Sequence, residues 1–342
     1  MVGSEGVREA LFYEPQSGGR VRCFLCPRYC SIPDGKIGFC GVRRNLGGKL
    51  YTLNYGRLIA MAADPIEKKP LSHFHPGSFV FSIATAGCNF ACLYCQNYDI
   101  SQRRKVEEPY TPPEEVIRLA RRYGCQGVTG TYNEPTIQME YLLDVMKMAK
   151  ESGLFTTWVS NGYLTPEAVE AVAPYLDAIT VDFKGSGNRQ FYRKYVMVPS
   201  AEPIYDALIG LKRGGVFIEI TDLIVPVPEG DSIEDIGKLA SWIVENLGED
   251  TPMHLLRFHP DYKMLDTPWT PMETLKAGWR AAKDAGLKYV YLGNVLDKKY
   301  ESTYCPNCGA ICIERHGLSF VRIHLKDGYY CPRCGYKINV VV

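Results

Sequence analysis

Between residues 79 and 292, short apolar, β-branched runs alternate with longer stretches whose apolar positions recur at helical spacing. The short runs, at 79–84, 127–131, 155–160, 178–183, 217–225, 253–258 and 289–292, each predict a strand. Residues 176–183 are nearly all apolar, as a strand covered on both faces should be. The stretches between open on helix-start residues: Thr111-Pro112-Pro113-Glu114-Glu115, Thr165-Pro166-Glu167 and Ser232-Ile233-Glu234-Asp235. Each supplies a capping residue or an early proline, then acids suited to the positive end of a helix. Strand and helix in alternation mean repeated βα units around a parallel sheet. The predicted fold class is therefore α/β, a partial (β/α)6 TIM-like barrel.

The flanks break this rhythm. Residues 1–75 scatter Gly, Pro and Arg among four Cys and predict an N-terminal extension, with residues 49–63 as a hairpin or short strands. Residues 76–300 are expected to form the barrel. In 301–342 two cysteine pairs frame an alternating run, 318–325, that predicts a strand. About forty residues cannot hold a core unaided, so this unit is expected to fold around metal.

Composition narrows the class of function. With 46% hydrophobic and 23% charged residues the chain is a folded protein, which excludes disordered and collagenous readings. Lys and Arg total 39 against 38 Asp and Glu, so no global field attracts nucleic acid or an anionic membrane, and neither is an expected partner. Arg103, Arg104 and Lys105 are the hint of a local basic groove. No stretch approaches the ~20 apolar residues of a membrane span, and residues 1–16 lack a signal-peptide core. The expected location is the cytoplasm.

There are 13 Cys, and reduced cytosolic thiols are better metal ligands than disulfide partners. They fall in three groups: Cys23, Cys26, Cys30 and Cys40; Cys88, Cys92 and Cys95; Cys305, Cys308, Cys331 and Cys334. Cys125 and Cys312 read as small buried residues. The middle group follows the first barrel strand, on the face where barrel active sites lie. A closed four-iron cluster takes four Cys. Three on one loop leave one iron open to a substrate or cofactor.

Cys88-Asn89-Phe90-Ala91-Cys92-Leu93-Tyr94-Cys95 resembles the signature of the radical SAM superfamily, including the aromatic Tyr94 before the last Cys. The resemblance implies a 4Fe-4S cluster whose open iron chelates S-adenosylmethionine (SAM), and reductive cleavage of SAM to a 5'-deoxyadenosyl radical. Together with Glu67-Lys68-Lys69-Pro70-Leu71, Cys95-Gln96-Asn97, Tyr132-Asn133-Glu134-Pro135-Thr136 and Cys26-Pro27-Arg28-Tyr29-Cys30, it is similar to the radical SAM member of the AmmeMemoRadiSam system, a relative of pyruvate formate-lyase activating enzymes. By that resemblance Glu134 holds the methionine ammonium, with Tyr132 and Asn133 standing where the family has two glycines. Asn161-Gly162 approaches the ribose, and Asp182-Phe183-Lys184 brings Lys184 to the methionine carboxylate. His259 touches the nucleoside, and Asn294 lies by the adenine. The implied partners are an electron-donor protein and a protein substrate whose glycine, or another unactivated C–H bond, loses hydrogen.

Cys305-Pro306-Asn307-Cys308-Gly309 and Cys331-Pro332-Arg333-Cys334-Gly335 are paired knuckles whose turns aim N–H groups at thiolate sulfur. They predict a tetrahedral site resembling rubredoxin or a zinc ribbon, for one iron or one zinc. The N-terminal four have ligand-like spacing that leaves zinc, an auxiliary iron–sulfur cluster and unligated thiols open. Two other readings compete with the activating-enzyme one: radical SAM modification of RNA or a metabolite, and a non-catalytic zinc-ribbon adaptor.

Overall fold

The computed structural model describes residues 6–103, 105–318 and 320–342. Its central element is a sheet of eight strands: β1 (Leu58–Pro65), β2 (Phe79–Thr85), β3 (Gly127–Gly130), β4 (Phe155–Ser160), β5 (Ala178–Lys184), β6 (Phe217–Ile224), β7 (Met253–Arg257) and β8 (Val290–Gly293). From β2 to β8 neighbours pair in parallel and in chain order. These are the seven expected strands, each within one residue at either end. Helices Pro113–Arg122, Met139–Glu151, Pro166–Val172, Glu202–Arg213, Ile233–Asn246 and Met272–Asp284 complete the βα units of an α/β partial barrel.

Local chemistry accounts for these helices. Thr165 accepts from Ala168 N–H and Ser232 from Asp235 N–H, each satisfying a donor the helix leaves free. Thr111 does not cap. Pro112 takes that position without a side-chain bond and Pro113 begins the helix. Ile236, Leu239, Ala240 and Ile243 form one buried stripe of their helix, while β5 is buried along nearly its whole length.

The strand β1 was not foreseen as part of the sheet. It comes from within residues 1–75 and runs antiparallel to β2, with Leu58 opposite Thr85 and Pro65 opposite Phe79. The rest of that segment makes two small three-stranded antiparallel sheets. Within residues 49–63 the structure has short strands rather than a hairpin: Lys49–Thr52 pairs back with Arg43–Leu46, and Leu58 onward joins the central sheet.

The sheet order ends at β1 and β8, so the barrel is open on one flank. The C-terminal unit crosses that opening. Its strands Thr303–Tyr304, Ile311–His316 and Phe320–Ile323 pair antiparallel, the last falling inside the expected run 318–325, of which Ser319 lies outside the described residues. Arg315 donates to the carbonyl of Ser72, and His75 N–H to Val341 O at 2.7 Å. Tyr291 of β8 bonds Thr303 Oγ1 at 2.7 Å. The unit's apolar core, which includes Cys312, Ile313 and Ile338, takes in Tyr289 and Tyr291 from the barrel.

Candidate cofactor site

A cavity of about 630 Å³ opens at the carboxyl ends of the parallel strands. Cys88, Cys92, Tyr94 and Cys95 line it from the loop after β2, Thr131 to Asn133 from the end of β3 and Asn161 from the end of β4. Asp182 and Lys184 of β5 line it too, as do His259 after β7 and Asn294 after β8. Glu301, Arg315 and Leu318 of the C-terminal unit line it from the open flank.

The cysteine loop is fixed by its own backbone and by a neighbour. Phe90 N–H points at Cys88 Sγ at 3.3 Å, and Cys95 N–H reaches Cys92 O at 3.3 Å. Leu93 N–H bonds Tyr195 O at 2.9 Å, tying the loop to the π-helical turn Tyr192–Val196. Gly87, at φ +94°, has the carbonyl of Cys40 2.4 Å from where a Cβ would sit, so only glycine fits before Cys88. Asn89 is fully buried and accepts from Asn161 Nδ2 at 2.7 Å, joining the ends of β2 and β4.

Charge is arranged around the thiols. Burial pushes the Cys88 thiol up and Cys92 up to about 12, so metal must supply the driving force for their ionisation. Lys184 is opposed by burial, but Asp182 and the three cysteines hold its ammonium above the usual range. Its Nζ lies 3.9 Å from Asp182 Oδ2. Strand alternation puts both residues on one side, as expected. A retained cation therefore faces three prospective anions.

Glu134, expected at the methionine ammonium, is engaged by neighbouring protein groups in the structure. It does not line the cavity. Its Oε1 accepts from Thr136 N–H, Thr136 Oγ1 and Ser160 Oγ at 2.9, 2.6 and 2.8 Å, and its Oε2 accepts from Asn161 N–H at 2.8 Å. Three of those four donors crowd Oε1, while Oε2 takes one. Glu134 caps the short helical turn Pro135–Gln138 and pins β3 to β4. Asn161 is likewise engaged: its Oδ1 accepts from Tyr163 N–H at 3.0 Å.

Several participants were missed from sequence. Asn133 Nδ2 donates to Gly87 O at 2.7 Å and to Thr85 O, holding the loop root. Gln96 Nε2 lies 2.6 Å from His259 Nε2, bridging the cysteine loop to the end of β7. The Cys-Gln-Asn motif and His259 each stood out in the sequence, but nothing local announced that they pair. Of the basic run, Arg103 is paired with Glu107 and Glu108 at 3.2 and 3.1 Å, while Arg104 lies outside the described residues.

At the C-terminus the Sγ atoms of Cys305, Cys308, Cys331 and Cys334 lie within 4.8 Å of one another. Cys305–Cys334 and Cys308–Cys331 are each 3.6 Å apart. Cys312 is buried outside the group, and Cys125 is buried in the barrel core. Among the described residues no helix is long and apolar enough to cross a membrane.

The sequence profile of the radical SAM superfamily matches residues 82–243, which contain the end of β2, the cysteine loop and strands β3 to β6. Over 339 residues the chain is 44% identical to an uncharacterized protein of Methanocaldococcus jannaschii, covering 98% of this chain and 100% of that one. It is 28% identical over 197 residues to a pyruvate formate-lyase-activating enzyme of Clostridium pasteurianum, covering 53% of this chain and 80% of that enzyme. A structural neighbour is SuiB of Streptococcus suis, with a TM-score of 0.48 and 14% identity over 61% of this chain and 48% of that one. Residues 82–243 of the chain form a radical SAM domain.

Proposed function

We propose that this protein is a radical SAM enzyme of the activating-enzyme kind, belonging to the AmmeMemoRadiSam system, that abstracts hydrogen from a partner protein. The observation that carries the reading is one loop placing Cys88, Cys92 and Cys95 on a cavity wall with the Lys184 ammonium facing them. Three thiols on one loop fit a four-iron cluster with one open iron. Lys184 fits the carboxylate of a zwitterion. Bound there, a 4Fe-4S cluster with SAM supplies reductive cleavage of the sulfonium to methionine and a 5'-deoxyadenosyl radical. The chain's own part is orientation and a dry pocket. Tyr94, buried between Phe191 and Phe258, stiffens the cysteine loop, while His259 and Asn294 suit the nucleoside end.

Relatives named as pyruvate formate-lyase-activating enzymes support a protein substrate. An electron-donor protein completes the set in the cytoplasm, and the C-terminal four Cys hold one iron as its entry port. Residues 1–75, 76–300 and 301–342 serve as extension, catalytic barrel and metal domain.

The test is anaerobic reconstitution followed by dithionite and SAM. The parent should release 5'-deoxyadenosine, and the variant with Cys88, Cys92 and Cys95 all changed to Ala should release none. Undiminished release from that variant overturns the reading.

A further inference from the structure

We propose that Cys23, Cys26, Cys30 and Cys40 hold a second iron–sulfur cluster, a closed four-thiolate centre built against the loop that carries Cys88. The inference stands on the N-terminal segment itself and does not depend on what binds at Cys88.

The four converge although two small sheets and a turn separate them. Cys23 ends the strand Val21–Cys23, and its N–H bonds Cys30 O at 2.9 Å. Tyr29 N–H closes a turn on Cys26 O at 3.1 Å with Tyr29 in the left-handed region. Cys40 enters just before the strand Arg43–Leu46. Cys26 is the electrostatic neighbour of Cys23, Cys40 and Cys30, and Cys40 that of Cys23 and Cys30.

Three of these sulfurs have the backbone N–H of the residue two positions onward as a polar neighbour: Leu25 for Cys23, Arg28 for Cys26 and Val42 for Cys40. The same turn serves Cys305 from Asn307, Cys308 from Ala310, Cys331 from Arg333 and Cys334 from Tyr336. It also serves Cys88 from Phe90. Sulfur in a thiol is a weak acceptor, whereas a metal-bound thiolate is oriented and tuned by such donors. The bystander Cys312 does otherwise, directing its S–H to Ala310 O at 3.7 Å.

A buried cation gives an independent pointer. Arg43 is 1% exposed and its Nε has no partner. Beyond Glu140, its strongest electrostatic neighbours are Cys23 and Cys40. Without metal the segment holds four buried or half-buried thiols around a guanidinium whose Nε has no hydrogen-bond partner among the described residues. An anionic thiolate centre removes that mismatch.

Spacing selects the metal class. Zinc–sulfur bonds of ~2.3 Å in a tetrahedron put sulfurs ~3.8 Å apart. Among the described residues, the C-terminal four are the one group whose ligand atoms all lie within 4.8 Å of one another. The N-terminal sulfurs stand wider, as do Cys88, Cys92 and Cys95. Ligands on separate irons of a cluster need that wider spread. The position is also specific: Arg28 donates to Asn89 O inside the cysteine loop and to Met197 O at 2.8 Å, while Cys26, Cys30 and Cys88 are its neighbours in charge.

The experiment uses the full chain, anaerobically reconstituted, with Cys88, Cys92 and Cys95 changed to Ala. This variant should retain about four sulfide per chain, matched by iron, and a paramagnetic signal on dithionite reduction. Single-iron or zinc sites carry no sulfide, so the C-terminal metal does not contribute. Adding Cys26→Ser and Cys40→Ser should take sulfide to background with the C-terminal metal retained. Loss of all sulfide from the Ala variant, zinc in its place, or sulfide that survives the Ser changes overturns the proposal. The Ala variant decides even where the Ser variant fails to fold. The sulfide difference between parent and Ala variant reports the SAM site separately.

Discussion

Arg43 Nη2 lies 2.7 Å from both carboxylate oxygens of Glu140, with the two side chains 1% and 3% exposed. The pair joins the N-terminal sheets to the barrel helix Met139–Glu151, and Leu11 N–H adds a third bond to Glu140 at 2.7 Å. Removing one partner leaves a buried charge alone, which costs about 3–5 kcal/mol. Glu140→Ala is expected to lower unfolding stability by that amount, measured by urea titration. A change under about 1 kcal/mol, the range of an exposed pair, would contradict this picture.

Lys184 and Glu134 should separate cleanly. Lys184→Met is expected to weaken SAM binding by about 1.5–3 kcal/mol, the range for hydrogen bonds to charged groups, with cluster iron unchanged. Glu134→Gln turns an amide donor toward groups that are all donors. It should cost about 1–3 kcal/mol of stability while the folded fraction binds SAM as the parent does. Equilibrium binding and thermal unfolding on the same samples check both.

His73 makes stability sensitive to acid. Its Nδ1–H donates to Asn339 O at 2.5 Å and its Nε2 accepts from Tyr291 OH at 2.6 Å. Burial lowers its pKa to about 4 from 6.5, so the unfolded chain binds the proton more readily. Stability from this group is complete above pH 6.5 and falls as pH drops toward 4, by about 3 kcal/mol in all. His73→Gln should flatten that part of the pH–stability curve. An unchanged slope would show that other groups set it.

The C-terminal site should hold one metal per chain. Iron-loaded protein would be red with a ferric-thiolate spectrum, and zinc-loaded protein colourless. Cys305→Ser is expected to lose that metal and make residues 303–342 the first site of protease cleavage, while Cys312→Ser keeps both metal and resistance.

What could be read from sequence followed from how local each signal was. The seven parallel strands are announced by their own apolar runs, because βα crossovers cover both sheet faces. The strand β1 is not, since Leu58–Pro65 is an edge strand of mixed burial whose partner is set by the sheet. The cysteine loop is legible because its ligands must be close in sequence. The partners of Glu134 were not legible because two of them, Ser160 and Asn161, lie at the end of a neighbouring strand. The lining contributed by Arg315 had no local mark, as its bond to Ser72 spans 243 positions.

That bond has a consequence for chemistry in the chamber. In the proposed chemistry a carbon radical survives only where adventitious hydrogen donors are kept away, and one wall of this chamber is lent by the small unit whose four Cys are proposed to hold a metal. On that proposal the outer metal is a condition of containment: a chain without it keeps every residue of the inner loop but works with a missing shutter, and is expected to turn over SAM wastefully.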